Sequence, residues 1–301
     1  MMNKTFLFYI LWLGLFYHTS LFGQYSYPSV PDSILKLEDR ASYLSDHWWD
    51  NTNLSDTSLF QTPKVILDYL YVIGLLSQEE KERGLIRTIH KLSIEPHNLE
   101  MAISWLKKYY HDATSPYYDD GLYLQVIDST LELNALPNLQ PWLKSERILA
   151  LRNMKGSPAE DFSLLTNDGK SMKMSDISSP WLLIVFNNPE CSRCIKIQQH
   201  IFSDTLIEEL IDDGLLKILS ICPVGDYDSW QEHNYPDNWI NGFDIETAIV
   251  SRQLYEIQYF PALYLLDSEK RVCIKEGQNI GTITDFLRAA IKKGLCSSSS
   301  Q

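Results

Sequence analysis

The sequence predicts two folds in series: an all-α domain over the first half and an α/β domain, a mixed sheet flanked by helices, over the second. Three observations carry this reading. At 301 residues the chain is longer than one compact core usually organises. Up to about residue 150 apolar residues recur at helical spacing, and from Ser157 short apolar runs alternate with helical segments. The composition, 45% hydrophobic and 22% charged, is that of an ordinary globular protein.

The chain opens with Lys4 ahead of an apolar run from Phe6 to Phe16, and polarity returns at His18, Thr19 and Ser20. That layout predicts a secretory signal peptide over residues 1–23, ending at the small Gly23. Leu21 is large for a residue just ahead of a cleavage site, so retention of the segment as an N-terminal anchor is the alternative, and the one route to a membrane. A helical domain is expected over residues 24–152. Asp32 or Ser33 can cap a first helix through Ile34, Leu37, Ala41 and Leu44. Further amphipathic patterns occupy Pro63–Leu76, Gln78–Leu92, Asn98–His111 and Gly121–Leu133, separated by Pro, Asn, Asp and Gly. Trp48 and Trp49, like Trp105 and Tyr109, are expected to fill the core between helices. His90, His97 and His111 lack the paired spacing with a carboxylate that marks a helical metal site, so no metal is expected there.

The α/β domain is expected over residues 153–296, followed by a short disordered tail, 297–301. Leu182–Phe186 and Leu215–Ile221 read as buried strands because both are continuous apolar runs. Cys191–Leu210 reads as a helix between them, and Glu246–Tyr255 as another. Ala262–Leu266 and Val272–Lys275 form a hairpin across Asp267-Ser268-Glu269-Lys270, and Thr282–Lys293 closes the domain as a helix stopped by Gly294.

The formal net charge of −13 excludes nucleic acid as a partner, since such binding rests on Lys and Arg neutralising phosphates. An exported chain would meet an oxidising compartment, yet five cysteines, unevenly spaced, are too few to staple a chain of this length.

The chemistry concentrates in Asn187-Asn188-Pro189-Glu190-Cys191-Ser192-Arg193-Cys194, which follows a buried strand and opens a helix. A thiol at a helix N-terminus meets unpaired backbone N–H groups and the positive end of the macrodipole, both of which favour the thiolate. Cys191 is so placed. Ser192 and Arg193 share its first turn, and the Arg193 cation favours the thiolate while Glu190 opposes it. Cys194 lies one turn on, so its side chain can reach Cys191. Thiolate attack on a disulfide, a mixed disulfide, and resolution by the second thiol follow from that pair. Half of a zinc site and a purely structural disulfide are the other uses of such a pair; no second C-x-x-C exists in the chain.

Residues from about Ser157 to Gly294 resemble a thioredoxin-fold domain, specifically the TlpA/ResA-like envelope branch. The resemblance rests on the opening Gly156-Ser157-Pro158-Ala159-Glu160-Asp161-Phe162, on Asp168-Gly169-Lys170, on the cysteine motif, and on Phe260-Pro261 before the strand Ala262–Asp267. It implies that Pro261 is the family's cis-proline, beside the cysteine pair, and that Phe260 and Pro261 help hold the substrate chain. It also implies an oxidoreductase that exchanges disulfides with protein thiols, acting as a reductase, supplied by an unidentified redox donor and needing no cofactor. Glu190 stands where the family has Trp, Ser192-Arg193 where thioredoxins have Gly-Pro, and Val185 where they keep a buried Asp. Asn188 stands where peroxiredoxins use Thr, which argues against a peroxidase. The helical half resembles, more loosely, a domain of unknown function found before thioredoxin domains in bacterial envelope proteins. The competing functions are an interaction protein whose helical domain binds a partner or glycan, and a redox sensor using Cys222 as an additional thiol.

Overall fold

The computed structural model describes residues 25–233, 235–277 and 279–293. The expected signal peptide, Gly294, Cys296 and the tail Ser297–Gln301 lie outside the described residues. The chain divides into two compact units: one comprises the described residues up to His111 with Gly121–Lys144, the other Asp112–Asp120 with the described residues from Ser145 on.

The helical part contains α1 (Leu37–His47), α2 (Lys64–Ile73), α3 (Gln78–Leu92), α4 (Pro96–Tyr110), α5 (Asp120–Leu133) and α6 (Gln140–Leu151). The starts of α3 and α4 follow from local chemistry. Ser77 accepts from the Glu80 backbone N–H while the Glu80 side chain returns to the Ser77 N–H, a reciprocal cap. Pro96 opens α4, where its missing N–H costs nothing, and Lys107 and Lys108 sit in the last turn. Trp48 and Trp49 are core residues, 2% and 4% exposed. The Trp49 indole N–H donates to Thr88 Oγ1 at 2.9 Å, which satisfies its one polar atom inside the core.

The second unit is organised by a seven-stranded mixed sheet: β1 (Ser163–Thr166), β2 (Ser171–Lys173), β3 (Trp181–Phe186), β4 (Leu216–Cys222), β5 (Ile240–Phe243), β6 (Ala262–Asp267) and β7 (Val272–Gly277), in spatial order β2-β1-β5-β4-β3-β6-β7. β3 runs parallel to β4 and β4 to β5, while β6 lies antiparallel to β3 and to β7. Every residue of β3 is buried, the reason its sequence is a continuous apolar run: alternate residues feed two cores. Leu182, Ile184 and Phe186 pack with Leu219, Tyr255 and Tyr264 on one face. Leu183 and Val185 pack with Ile201, Ile207, Leu210 and Leu287 on the other. The helices of this unit are α7 (Ser192–Phe202), α8 (Thr205–Asp212), α9 (Tyr227–Glu232), α10 (Ala248–Ser251) and α11 (Ile280–Lys292).

Three sequence expectations need correction. The first helix starts at Leu37 behind an extended Lys36, not at Asp32 or Ser33, because the chain turns there with the Ile34 N–H donating to the Pro31 carbonyl at 3.0 Å. The segment expected as one helix from Cys191 to Leu210 is two, because the Asp204 side chain accepts from the backbone N–H groups of Leu206 and Ile207 and starts a new helix. The helix expected over Glu246–Tyr255 is a single turn, α10. Thr247 and Gln253 both adopt left-handed backbone, φ 51° each, and confine it at both ends.

Candidate functional site

The site forms where the C-terminal ends of β3 and β4 meet the start of α7. Beyond β3 the chain is anchored by Asn187, buried, whose amide donates to Ser220 Oγ at 2.6 Å and to the Val185 carbonyl at 3.2 Å. Asn188 Oδ1 accepts from the Glu190 N–H at 2.9 Å, an Asx turn, and the Asn188 carbonyl accepts from the Cys191 N–H at 3.0 Å. These bonds deliver Cys191 to the N-cap of α7 with an extended backbone.

There Cys191 Sγ takes the position a Ser or Asp oxygen usually fills, accepting the backbone N–H of Cys194 at 3.2 Å. Cys191 is half-buried, whereas Cys194 is 5% exposed. Burial, and next the contact with Cys191, push the Cys194 thiol up to about 12, against the lowering effects of the Asn188 backbone and of Arg193. The two sulfurs therefore differ in kind: one faces out at a helix terminus, the other lies beneath it and keeps its proton. Ser192 and Arg193 are exposed in the first turn of α7, and Glu190 is exposed just before it.

The third part of the site is the loop before β6. The Phe260–Pro261 peptide bond is cis, and the Phe260 carbonyl lies 3.7 Å from Cys191 Sγ, within reach of a thiol hydrogen bond. Thus Cys191, Cys194, Phe260 and Pro261, far apart in the chain, come together, with Ser192 and Arg193 at the rim. Cys222 closes the neighbouring edge at the end of β4. It is fully buried, its thiol is raised to about 11 by burial, and it lies against the Val224 carbonyl at 3.4 Å. Gly225, at φ 154°, passes between it and Asn188; a Cβ there would sit 3.3 Å from Cys222 Sγ and 3.7 Å from the Asn188 amide.

Sequence reading did not single out the residues behind Cys194. A cavity of about 10 Å³ is lined there by Cys194, Asn187, Gln198, Ser220, His233 and Trp239, among others. No local signal points Trp239, His233 or Gln198 toward the thiol. Among the described residues no group of three or more His, Cys, Asp and Glu side chains is arranged to hold a metal ion. No described helix is long and apolar enough to cross a membrane.

Comparison with known proteins agrees with this architecture. Residues 16–153 match the model of a domain of unknown function, DUF5106. Among solved structures, a thioredoxin-like protein from Bacteroides caccae is 27% identical and superposes with a TM-score of 0.80, covering 88% of this chain and 98% of that one. A conserved protein of unknown function from Bacteroides fragilis is 31% identical over 44% of this chain and 98% of that one, with a TM-score of 0.42. The thioredoxin domain of a thiol-disulfide oxidoreductase from Bacteroides vulgatus is 19% identical over 44% of this chain and 96% of that one, with a TM-score of 0.37. Among curated proteins no match was found. The first of these structures carries the comparison, and it extends over both halves of the chain.

Proposed function

We propose, from the premise that the C-terminal half is a thioredoxin-like domain, that this protein is a thiol-disulfide oxidoreductase working through Cys191-Ser192-Arg193-Cys194. The observation that carries the reading is the asymmetry of the pair: Cys191 Sγ is half-buried and accepts an N–H at the start of α7, and Cys194 is buried and holds its proton. Cys191 is the attacking sulfur. Its thiolate displaces one sulfur of a substrate disulfide, giving a mixed disulfide and a free substrate thiol. Cys194 then attacks Cys191, releasing the second substrate thiol and leaving Cys191 and Cys194 oxidised. Two electrons from a redox donor restore the dithiol. Ser192 and Arg193 bias the charge at the helix start, and Phe260 and Pro261 present the backbone against which a substrate chain lies, since the Phe260 carbonyl already faces Cys191 Sγ.

The substrates on this reading are protein disulfides and the compartment is the cell envelope, reached through the N-terminal signal peptide. The TlpA/ResA-like branch and the reductase direction belong to the same proposal, as do a helical domain over residues 24–152 and an oxidoreductase domain over 153–296. The test is a glutathione redox titration of the chain lacking residues 1–23, with alkylation and mass spectrometry reporting Cys191 and Cys194 at each poise. One reversible two-electron transition confined to that pair, with a low midpoint, is expected. Absence of a reversible disulfide between them, or stoichiometric zinc on them, would overturn the reading.

A further inference from the structure

We propose that His233 accepts the proton that Cys194 must lose when it resolves the mixed disulfide; the inference rests on the dithiol reading above. Cys194 cannot attack while it carries its proton, and it lies inside the protein beneath Cys191. Its outlet is the cavity behind it, whose volume of about 10 Å³ is close to the room of a single water. Of the side chains lining that cavity, two carry a titratable group: Cys194 itself and His233. Asn187 and Ser220, also on its wall, are engaged with each other at 2.6 Å.

His233 is set up as an acceptor. Its Nε2 lies 3.5 Å from the amide oxygen of Gln198, an acceptor, and in the tautomer that donates there the ring proton sits on Nε2 and Nδ1 keeps a lone pair. Burial, the sole cause of its shift, lowers its affinity for a proton below that of an ordinary histidine, so the ring is neutral near pH 7. The other titratable groups facing this region are Tyr235, packed edge-on against the His233 ring at 4.6 Å, and Cys222; both are neutral near pH 7 because burial raises them. Glu232, its chain neighbour, is exposed.

The step balances without a further reactant. The Cys194 proton passes through one water to His233 Nδ1 as the Cys194 sulfur bonds to Cys191 Sγ. The bond between Cys191 and the substrate sulfur breaks, its electron pair leaves on the substrate sulfur, that thiolate is protonated from solvent as it departs, and His233 returns its proton to solvent. General base assistance through one water is worth about 10²–10⁴ in rate.

The test is stopped-flow reaction of the reduced chain with Ellman's reagent, in a Cys273→Ser, Cys296→Ser background. The first burst of thionitrobenzoate reports attack by Cys191 and the second reports resolution by Cys194. In the parent, the second phase should slow as pH falls and His233 takes up a proton. His233→Gln should slow the second phase at least tenfold at pH 7 and remove that histidine inflection, leaving the first phase unchanged. His233→Ala should be equally slow and recover on adding imidazole, a response that loss of packing alone does not give. Unaltered rates and pH profiles in His233→Gln would overturn the assignment. A parent with no second phase would remove the dithiol reading, and this inference with it.

Discussion

Glu276 Oε1 accepts the backbone N–H of Gln258 at 2.7 Å, tying the end of β7 to the loop that carries Phe260 to Cys191. The Glu276 side chain is 1% exposed, and burial first, then Glu256 and Asp120, raise its carboxyl to about 8 against the lowering effects of the Gln258 N–H and Lys275. A carboxyl whose folded pKa lies above its unfolded value contributes stability that is fully present below the unfolded value, about 4.5, and is lost as pH rises through about 8. Thermal stability should therefore fall between about pH 4.5 and pH 8 more steeply in the parent than in Glu276→Gln, whose amide cannot ionise. Melting curves across that range check this; parallel slopes in the two proteins would contradict it.

Lys275 is the cation of the same cluster. Its ammonium lies 2.8 Å from Asp120, 3.3 Å from Glu256 and 3.3 Å from the Ala150 carbonyl, with 4% of the side chain exposed. Removing one partner of a buried ion pair leaves the opposite charges uncompensated, at a cost of about 3–5 kcal/mol. Lys275→Met should lower Tm by roughly 6–20 °C, taking about 2–4 °C per kcal/mol for a unit of this size. A change below about 2 °C would show that the carboxylates do not depend on Lys275.

This cluster also marks where sequence reading stopped. The expected strand Val272–Lys275 is present, but strict alternation would bury only one of Lys275 and Glu276, and the structure buries both. A shifted register between β6 and β7 and a left-handed Glu276, φ 48°, turn two adjacent residues inward, and neither leaves a signature in a single sequence. By contrast β3, the hairpin and the Cys191 cap were legible because each depends on local signals: a continuous apolar run, a polar turn, a cysteine just ahead of a helical pattern. The break at Asp204 was missed although Ser203-Asp204-Thr205 carries a cap, because the apolar residues on either side keep helical spacing and mask it. His233 and the cavity behind Cys194 come from tertiary packing that brings the end of α9 to α7, which no spacing rule reports.

Gly242 sits in β5 between β1 and β4, where a Cβ would lie 2.5 Å from Leu164 Cδ1 and 3.1 Å from Ile221 Cδ1. Both neighbours are core residues of the sheet face that also holds Phe186. Gly242→Ala should overpack this core and cost about 1–3 kcal/mol in denaturant unfolding. Gly169→Ala is an informative contrast: it is strained by its φ of 78° but meets nothing within 4 Å, so its cost should be backbone strain alone. Equal stability of Gly242→Ala and the parent would mean that Leu164 and Ile221 have room to move.

The two cysteines of the motif should fail in different ways if their asymmetry governs the chemistry. Cys191→Ser removes the sulfur that accepts the Cys194 N–H and should bring disulfide reduction down to the level of a protein-free control. Cys194→Ser keeps that sulfur at the start of α7 and removes only the resolving thiol, so it should still attack but accumulate a mixed disulfide on Cys191. Mass spectrometry after exposure to a disulfide-bonded protein distinguishes them: a covalent adduct on Cys194→Ser, none on Cys191→Ser. Cys222, buried and raised to about 11, should contribute no adduct in either variant. Were the adduct found on Cys194 in Cys191→Ser instead, the roles assigned from burial would have to be exchanged, because the deeper sulfur would then be the one that substrates reach.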